Sequence, residues 1–279
     1  MASFGTYDDQ PMTPRLGLPT VTPMVKRLLI LNFGIYLATF LLELASTSAF
    51  RGVYDYLGLR PSMWGEWLPF FVPFWQLITH GFLHSPDPMH VIFNMLQLYF
   101  FGTILEGILD SRRFLVVYFG AMLGGALAHL VFQPLIGEAN ISAVGASGAV
   151  LGVVVGAAVM RPDAQILLLF IPVKLKWLAI GIVGIDLIRA LQNIKAPVDN
   201  IAHWVHLGGA AFAFFAIRRR WIWSDPLGSW RARRAQKAAD QRQEEDLKMD
   251  DLLAKIHKEG MGSLTKRERE FLKKVSSRR

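Results

Sequence analysis

Cysteine is absent from all 279 residues, which excludes disulfides, thiolate catalysis and cysteine-ligated metal and leaves the redox compartment open. Charge is scarce as well: 19% of the residues are Asp, Glu, Lys or Arg, against 52% in the hydrophobic set. A soluble chain of this length breaks its apolar residues into amphipathic periods around a core. Here a run such as Ala149 to Met160 carries neither charge nor polar side chain. The first twenty residues are polar and proline-containing, without the apolar stretch of a cleavable signal peptide. The first long apolar segment is therefore expected to act as its own insertion signal. The charge that is present is unbalanced, with 30 Lys and Arg against 22 Asp and Glu. Much of the excess follows the last apolar segment, at Arg218 to Arg220, Arg231, Arg233, Arg234, Arg278 and Arg279. A basic stretch directly after a span reads as a cytoplasmic anchor facing anionic lipid. Membrane lipids are expected partners and nucleic acid is not.

A membrane-crossing helix takes about 20 mainly apolar residues. Six segments fit or nearly fit: 24–44, 89–109, 114–136, 144–160, 166–191 and 201–217. The expected fold class is an all-α membrane protein, a six-helix bundle with a small helical appendage. Residues 1–23 are expected to form a cytosolic segment, 24–217 the bundle, 218–246 a basic linker, of which 221–230 looks interfacial and 231–246 reads as a charged linker or solvated helix, and 247–279 a cytosolic helical tail. In the tail, Gly260 and Gly262 interrupt an amphipathic pattern, and Thr265 with Glu268 spells a capping box. The charges Lys26, Arg27, Arg112, Arg113, Arg161, Lys174, Lys176 and Arg218 to Arg220 fall on one side if the N-terminus is inside. That bias predicts both termini in the cytoplasm of an inner-membrane protein. The long loop from 45 to 88, with Trp64, Trp67, Pro69, Phe70, Phe71, Pro73, Phe74 and Trp75, suits the interfacial belt. Gly148, Gly152 and Gly156 recur on the fourth segment, and Gly120, Gly124 and Ala128 on the third. Such small-residue stripes let backbones approach closely, which marks the fourth helix as the buried hub.

Polar groups inside such segments are functional candidates by default. Ser147 lies between Ala146 and Gly148 where the fourth segment becomes helical, uncrowded and close to backbone N–H groups without intrahelical partners. A serine hydroxyl needs a base to become a nucleophile, and the free N–H groups suit an oxyanion. On this tetrapeptide alone, a plain helix N-cap explains the serine equally well. Two histidines in the sixth segment shift the balance. His206 shares its face with Gly209 and Ala213, and His203 lies one turn earlier, so spacing leaves open which of them is the base. His129 has no polar companion in its segment and reads as structural. His90 and Asn94, four apart, point donors to one place. A metal site at His80, His84 and His90 is disfavoured because Ser85-Pro86-Asp87-Pro88 breaks the helix between them. Neither a metal nor another cofactor is expected.

His80-Gly-Phe-Leu-His84, His90-Val-Ile-Phe-Asn94, Gly102 to Glu106, Gly145-Ala-Ser147-Gly148 and His206-Leu-Gly-Gly, in this order, resemble the rhomboid family of intramembrane serine proteases over about 24–217. The resemblance implies Ser147 as nucleophile, His206 rather than His203 as base, and a dyad without an acid. It assigns His90 and Asn94 to the oxyanion and implies single-pass membrane proteins as substrates. It further implies a six-helix core with a water-filled cavity open to the outside. Leu151 stands where many relatives carry an aromatic that packs on the imidazole, and Ala213 where glycine is frequent. The tail is similar to an extension on some bacterial relatives.

Overall fold

The structure is a computed structural model that describes residues 19–67, 72–168, 171–195, 201–223 and 228–276. Leu68, Pro69, Phe70 and Phe71 of the aromatic loop, and residues 1–18, lie outside the described residues. In chain order the elements are α1 (Pro23–Ala45), α2 (Thr47–Leu57), α3 (Pro61–Trp67), α4 (Gln76–Thr79), α5 (Pro88–Leu109), α6 (Ser111–Leu135), α7 (Ser147–Met160), β1 (Gln165–Leu168), β2 (Ile171–Lys174), α8 (Leu175–Lys195), α9 (His203–Arg218), α10 (Gly228–Glu259) and α11 (Lys266–Ser276). The chain divides into two compact units, ending and beginning at Trp223 and Ser224.

Four helices, α1, α5, α6 and α8, are long and apolar enough to cross a membrane, and α7 is a shorter apolar helix. With α9 they make an all-α membrane bundle. Lipid-facing and buried helices separate cleanly. Along α1, Ile30, Leu31, Phe33, Leu37, Leu41 and Leu44 are exposed, a surface that only a hydrocarbon solvent tolerates. By contrast α7 is buried from Gly148 to Ala158, and no face of it is polar. Its stripe of glycines explains how. A Cβ on Gly152 would stand 2.3 Å from the Ala121 Cβ of α6, and one on Gly148 would stand 2.5 Å from Val205 of α9. The corresponding approach of α6 to α9 is made at Gly124 and Gly208, where the Gly124 carbonyl lies 2.5 Å from the Cβ position of Gly208. Three helices thus pack backbone against backbone.

Glu106, in the last turn of α5, binds the start of α1. Its carboxylate accepts from the Met24 and Val25 amides at 3.1 and 3.0 Å, and from the hydroxyls of Thr22 and Ser111. An acidic group at a helix N-terminus satisfies orphan N–H groups and complements the helix dipole. A turn of π-helix over Leu98–Gly102 interrupts α5.

The fifth segment departs from expectation. Its first part, read as the start of a span at Ile166, is an antiparallel hairpin, Gln165 opposite Lys174 and Leu168 opposite Ile171, and the helix begins only at Leu175. The strands end in an ionic knot, Asp163 accepting from Lys174 and Lys176 at 3.2 and 2.8 Å.

The second unit is helical. Where 218–246 reads as a basic linker, with a solvated helix as the alternative for 231–246, α10 runs unbroken from Gly228 through to Glu259. Leu252 and Leu264 of this unit are buried. Thr265 and Glu268 form the reciprocal box, the Thr265 amide donating to the carboxylate at 2.7 Å and the Glu268 amide to the threonine hydroxyl at 3.3 Å. The Thr265 amide, with Lys255, holds the Glu268 carboxyl down to about 2.

Candidate active site

Five polar side chains from four helices converge in the bundle, four of them at one end. Ser147 is the first residue of α7, His90 the third of α5, and His203 and His206 the first and fourth of α9. At a rise of about 1.5 Å per residue, each lies within roughly one turn of its helix terminus. Asp186 reaches them from the middle of α8.

The Ser147 hydroxyl is 2.7 Å from His206 Nε2. Helix contact sets this distance: Gly209, one turn past His206, meets Gly148, next to Ser147, with no side chain between them. On its other side the imidazole places Nδ1 3.0 Å from Asp186 Oδ1, and the same oxygen lies 2.6 Å from His203 Nδ1. The two histidines differ in access. His206 keeps 17% of its side chain exposed and His203 only 5%, so His206 faces the open side and touches the serine.

Gly145 opens a second approach. Its φ of +125° excludes a side chain on backbone grounds. A Cβ there would also stand 2.8 Å from His90 Nε2 and 3.6 Å from Ser147 Oγ. Both atoms therefore lean over one bare backbone position. The Ser85 amide donates to His90 Nδ1 at 3.3 Å, and the Ser85 hydroxyl is 2.9 Å from it. An accepting Nδ1 puts the proton of the neutral ring on Nε2, aimed to the serine's side. Asn94 is buried on the same helix, where its amide nitrogen donates to the His90 carbonyl at 3.0 Å. That bond stays within α5 and does not reach Ser147.

Connecting segments tie this end together. Leu59 and Ala143 exchange backbone hydrogen bonds, the Ser62 amide donates to the Ala139 carbonyl, and the Gly145 amide donates to the His80 carbonyl at 2.9 Å. His80 and His84 serve this scaffold. His80 Nδ1 pairs with the Gln76 carbonyl at 2.7 Å, and the carbonyl of His84 accepts from the Tyr54 hydroxyl. Burial holds both imidazoles down to about 4, aided at His84 by the neighbouring His90. They are uncharged at neutral pH. His129, on α6, is wholly buried with Nε2 on the Ile141 carbonyl at 3.0 Å.

Asp186 is the residue that the sequence reading passed over. The signal was there: an acidic side chain within the apolar run 178–188 costs energy in hydrocarbon unless partnered. The expectation of a histidine without an acid gives way to one bonded to a carboxylate.

The profile of the Rhomboid domain family matches residues 73–221, more than half of the chain. Residues 235–278 match a family of unknown function. Among curated proteins the chain is similar to RHOMBOID-like protein 12, mitochondrial, of Arabidopsis thaliana, with 32% identity over 51% of this chain and 45% of that protein. It is also similar to Rhomboid protease GluP of Bacillus subtilis (strain 168), at 30% identity over 72% of this chain and 34% of the relative. Rhomboid protein 1, mitochondrial, of Saccharomyces cerevisiae is 32% identical over 43% of this chain and 40% of its own. The chain spans less than half the length of each of these relatives.

Proposed function

The chain belongs to the rhomboid family, and we propose that it is an intramembrane serine endopeptidase that cleaves single-pass transmembrane proteins with Ser147 as nucleophile and His206 as base. The observation that carries this reading is the 2.7 Å contact between the Ser147 hydroxyl and His206 Nε2, made inside an apolar bundle. Two relatives support the class, since one carries the name rhomboid protease and another rhomboid protein.

The chemistry follows from the geometry. His206 Nε2 takes the Ser147 proton as Oγ bonds to the substrate carbonyl carbon, and the carbonyl oxygen becomes an oxyanion. The Nε2 proton of His90, with the free backbone N–H groups at the start of α7, faces that developing charge. Asn94 is a second candidate donor, provided that its amide turns from the His90 carbonyl. The tetrahedral centre collapses as the C–N bond breaks, and the imidazolium gives its proton to the leaving amine. Water then attacks the acyl-serine, passing a proton to Nε2, and the second collapse returns that proton to Oγ.

A substrate helix buries its carbonyls in i to i−4 hydrogen bonds, so the segment to be cut must unwind before Ser147 reaches it. Glycine and other helix-weakening residues near the cut are the expected substrate feature. Loop charge supports an inner-membrane protein with both termini cytoplasmic, which puts the active-site end of the bundle at the outer face.

Labelling of purified protein with a serine-directed fluorophosphonate tests the proposal. One adduct, on Ser147 and lost in Ser147→Ala, is expected. Equal labelling of the two proteins, or none with an intact fold, would overturn it.

A further inference from the structure

Asp186 Oδ1 faces two imidazole nitrogens at once, His203 Nδ1 at 2.6 Å and His206 Nδ1 at 3.0 Å. A carboxylate only accepts hydrogen bonds, so each Nδ1 carries its proton. In His206 this leaves Nε2 as the lone-pair atom, and Nε2 is the atom that faces the Ser147 hydroxyl at 2.7 Å. The tautomer a general base needs is therefore set from α8, on the opposite edge of the imidazole from the serine.

We infer that Asp186 is the positioning residue of the active site, completing a serine, histidine and aspartate relay in which His203 clamps the carboxylate. The inference rests on the protease reading above. When Nε2 takes the serine proton the ring becomes an imidazolium, and Asp186 lies beside the positive charge in a setting of low dielectric, where such an interaction is stronger than in water. The proton on Nδ1 stays where it is; the carboxylate orients the ring and stabilises its charge. His203 and His206 are three residues apart on one face of α9, which is why a single oxygen on α8 serves both. His203 donates from the buried side. Its bond holds Asp186 Oδ1 in place without reaching the serine.

The same three residues bring nitrogen and oxygen atoms within 4.8 Å of one another, close enough to suggest a metal. The spacing argues for hydrogen bonds instead. Ligands about 2.0–2.2 Å from a tetrahedral zinc stand roughly 3.3 Å apart, whereas Asp186 Oδ1 and His203 Nδ1 are separated by 2.6 Å.

The test uses the full chain in detergent with a single-pass transmembrane substrate. Wild type and Ser147→Ala come first: a wild type that does not cleave, or a Ser147→Ala that does, defeats the protease reading and the inference falls with it. Once that pair behaves as expected, Asp186→Asn isolates Asp186. Its carboxamide can turn an N–H towards His206 Nδ1, which forces the ring proton onto Nε2, facing the serine. We expect kcat to fall by about 10²–10⁴-fold with KM within about twofold of wild type. Asp186→Glu, which keeps the carboxylate, is expected to recover a large part of the loss. A fold defect would lower the yield of active protein without this rescue. Near wild-type kcat in a folded Asp186→Asn, or a change confined to KM, overturns the inference. If Asp186→Asn does not fold, Asp186→Glu decides: turnover supports the assignment and a folded, silent Glu variant overturns it. Wild-type cleavage abolished by chelation and restored by zinc would make the cluster a metal centre and overturn it as well.

Discussion

The carbonyl oxygen of Gly148 lies 2.1 Å from the place a Cβ on Gly209 would occupy. No real Cβ survives that distance, so the two backbones meet only because position 209 is glycine, while glycine at 148 makes room for Val205. Ser147 precedes Gly148 and His206 is one turn before Gly209, and the close approach brings a hydroxyl on α7 within hydrogen-bond reach of an imidazole on α9. In a bilayer, where no hydrophobic force drives helices together, such contacts supply the association.

Gly209→Val tests that relationship. Overpacking a tight contact costs about 1–3 kcal/mol, and here the obstacle is backbone, which cannot rotate away. The expected outcome is a lower unfolding temperature together with a loss of cleavage out of proportion to it, because α9 moves outward and carries His206 with it. A variant as active and as stable as wild type would show that the helices have room to spare. Gly34→Val is the control: nothing lies within 4 Å of its Cβ position, and it should leave both properties unchanged.

Ser147→Ala and His206→Ala are each expected to abolish cleavage of a model substrate while inserting normally. His203→Ala should retain cleavage, since the proton acceptor remains, though at a reduced rate because Asp186 loses one of its two clamps. Initial rates for the three variants, normalised to membrane-inserted protein, decide the matter. A silent His203→Ala beside an active His206→Ala would move the base to position 203.

The bundle and most of these side chains are legible in the sequence because membrane segments declare themselves by composition. Apolar runs fix the helices to within a few residues, and small residues every fourth position foretell which helix is buried. Ser147 and both histidines stand out as polar groups in apolar surroundings. What was not legible depends on contacts across the bundle. The stretch 166–174 is apolar enough to pass for a helix, and a short apolar run does not by itself distinguish strand from helix; Pro172 was the available clue. Asp186 is 17 residues from His203 and 20 from His206 along the chain, and its partners are set by where α8 meets α9. Asn94 shares a face with His90, as the spacing of four predicts, yet its amide is engaged by that residue's own carbonyl.

His90 and Asn94 separate if the oxyanion is held as proposed. Removing one donor commonly lowers turnover by about 10²–10³-fold without removing the nucleophile. His90→Ala takes away an Nε2 that already leans over Gly145 and should fall in that range. Asn94→Ala should leave measurable cleavage and slower fluorophosphonate labelling. Wild-type rates for Asn94→Ala on every substrate would make Asn94 a packing residue of α5.

Orientation can be read with single cysteines, because the natural chain has none to interfere. Cysteines at Ser62, in α3, and at Gly137, just after α6, belong to the active-site end, where Ser62 and Ala139 are joined through the backbone. Both should react with an impermeant maleimide added to intact cells, and one at Gly228 should not. Labelling at 228 would place the C-terminus outside.

The tail should be dispensable for the chemistry. Ser147, His206, Asp186, His203, His90 and Asn94 all lie in the unit that ends at Trp223, and α10 and α11 belong to the other. Within the second unit the Thr265 and Glu268 box and the Lys255 to Glu268 pair join residues of that unit alone, and none of them is a candidate for the chemistry. A chain cut after Trp230 keeps the aromatic and basic stretch that follows α9 and should turn over a model substrate at the wild-type kcat in detergent. Exposed termini commonly tolerate such cuts when no buried backbone is lost. If the truncated protein instead folds, binds the fluorophosphonate on Ser147 and yet does not cleave, the tail acts on substrate delivery; if it folds and fails to label, the tail shapes the site itself.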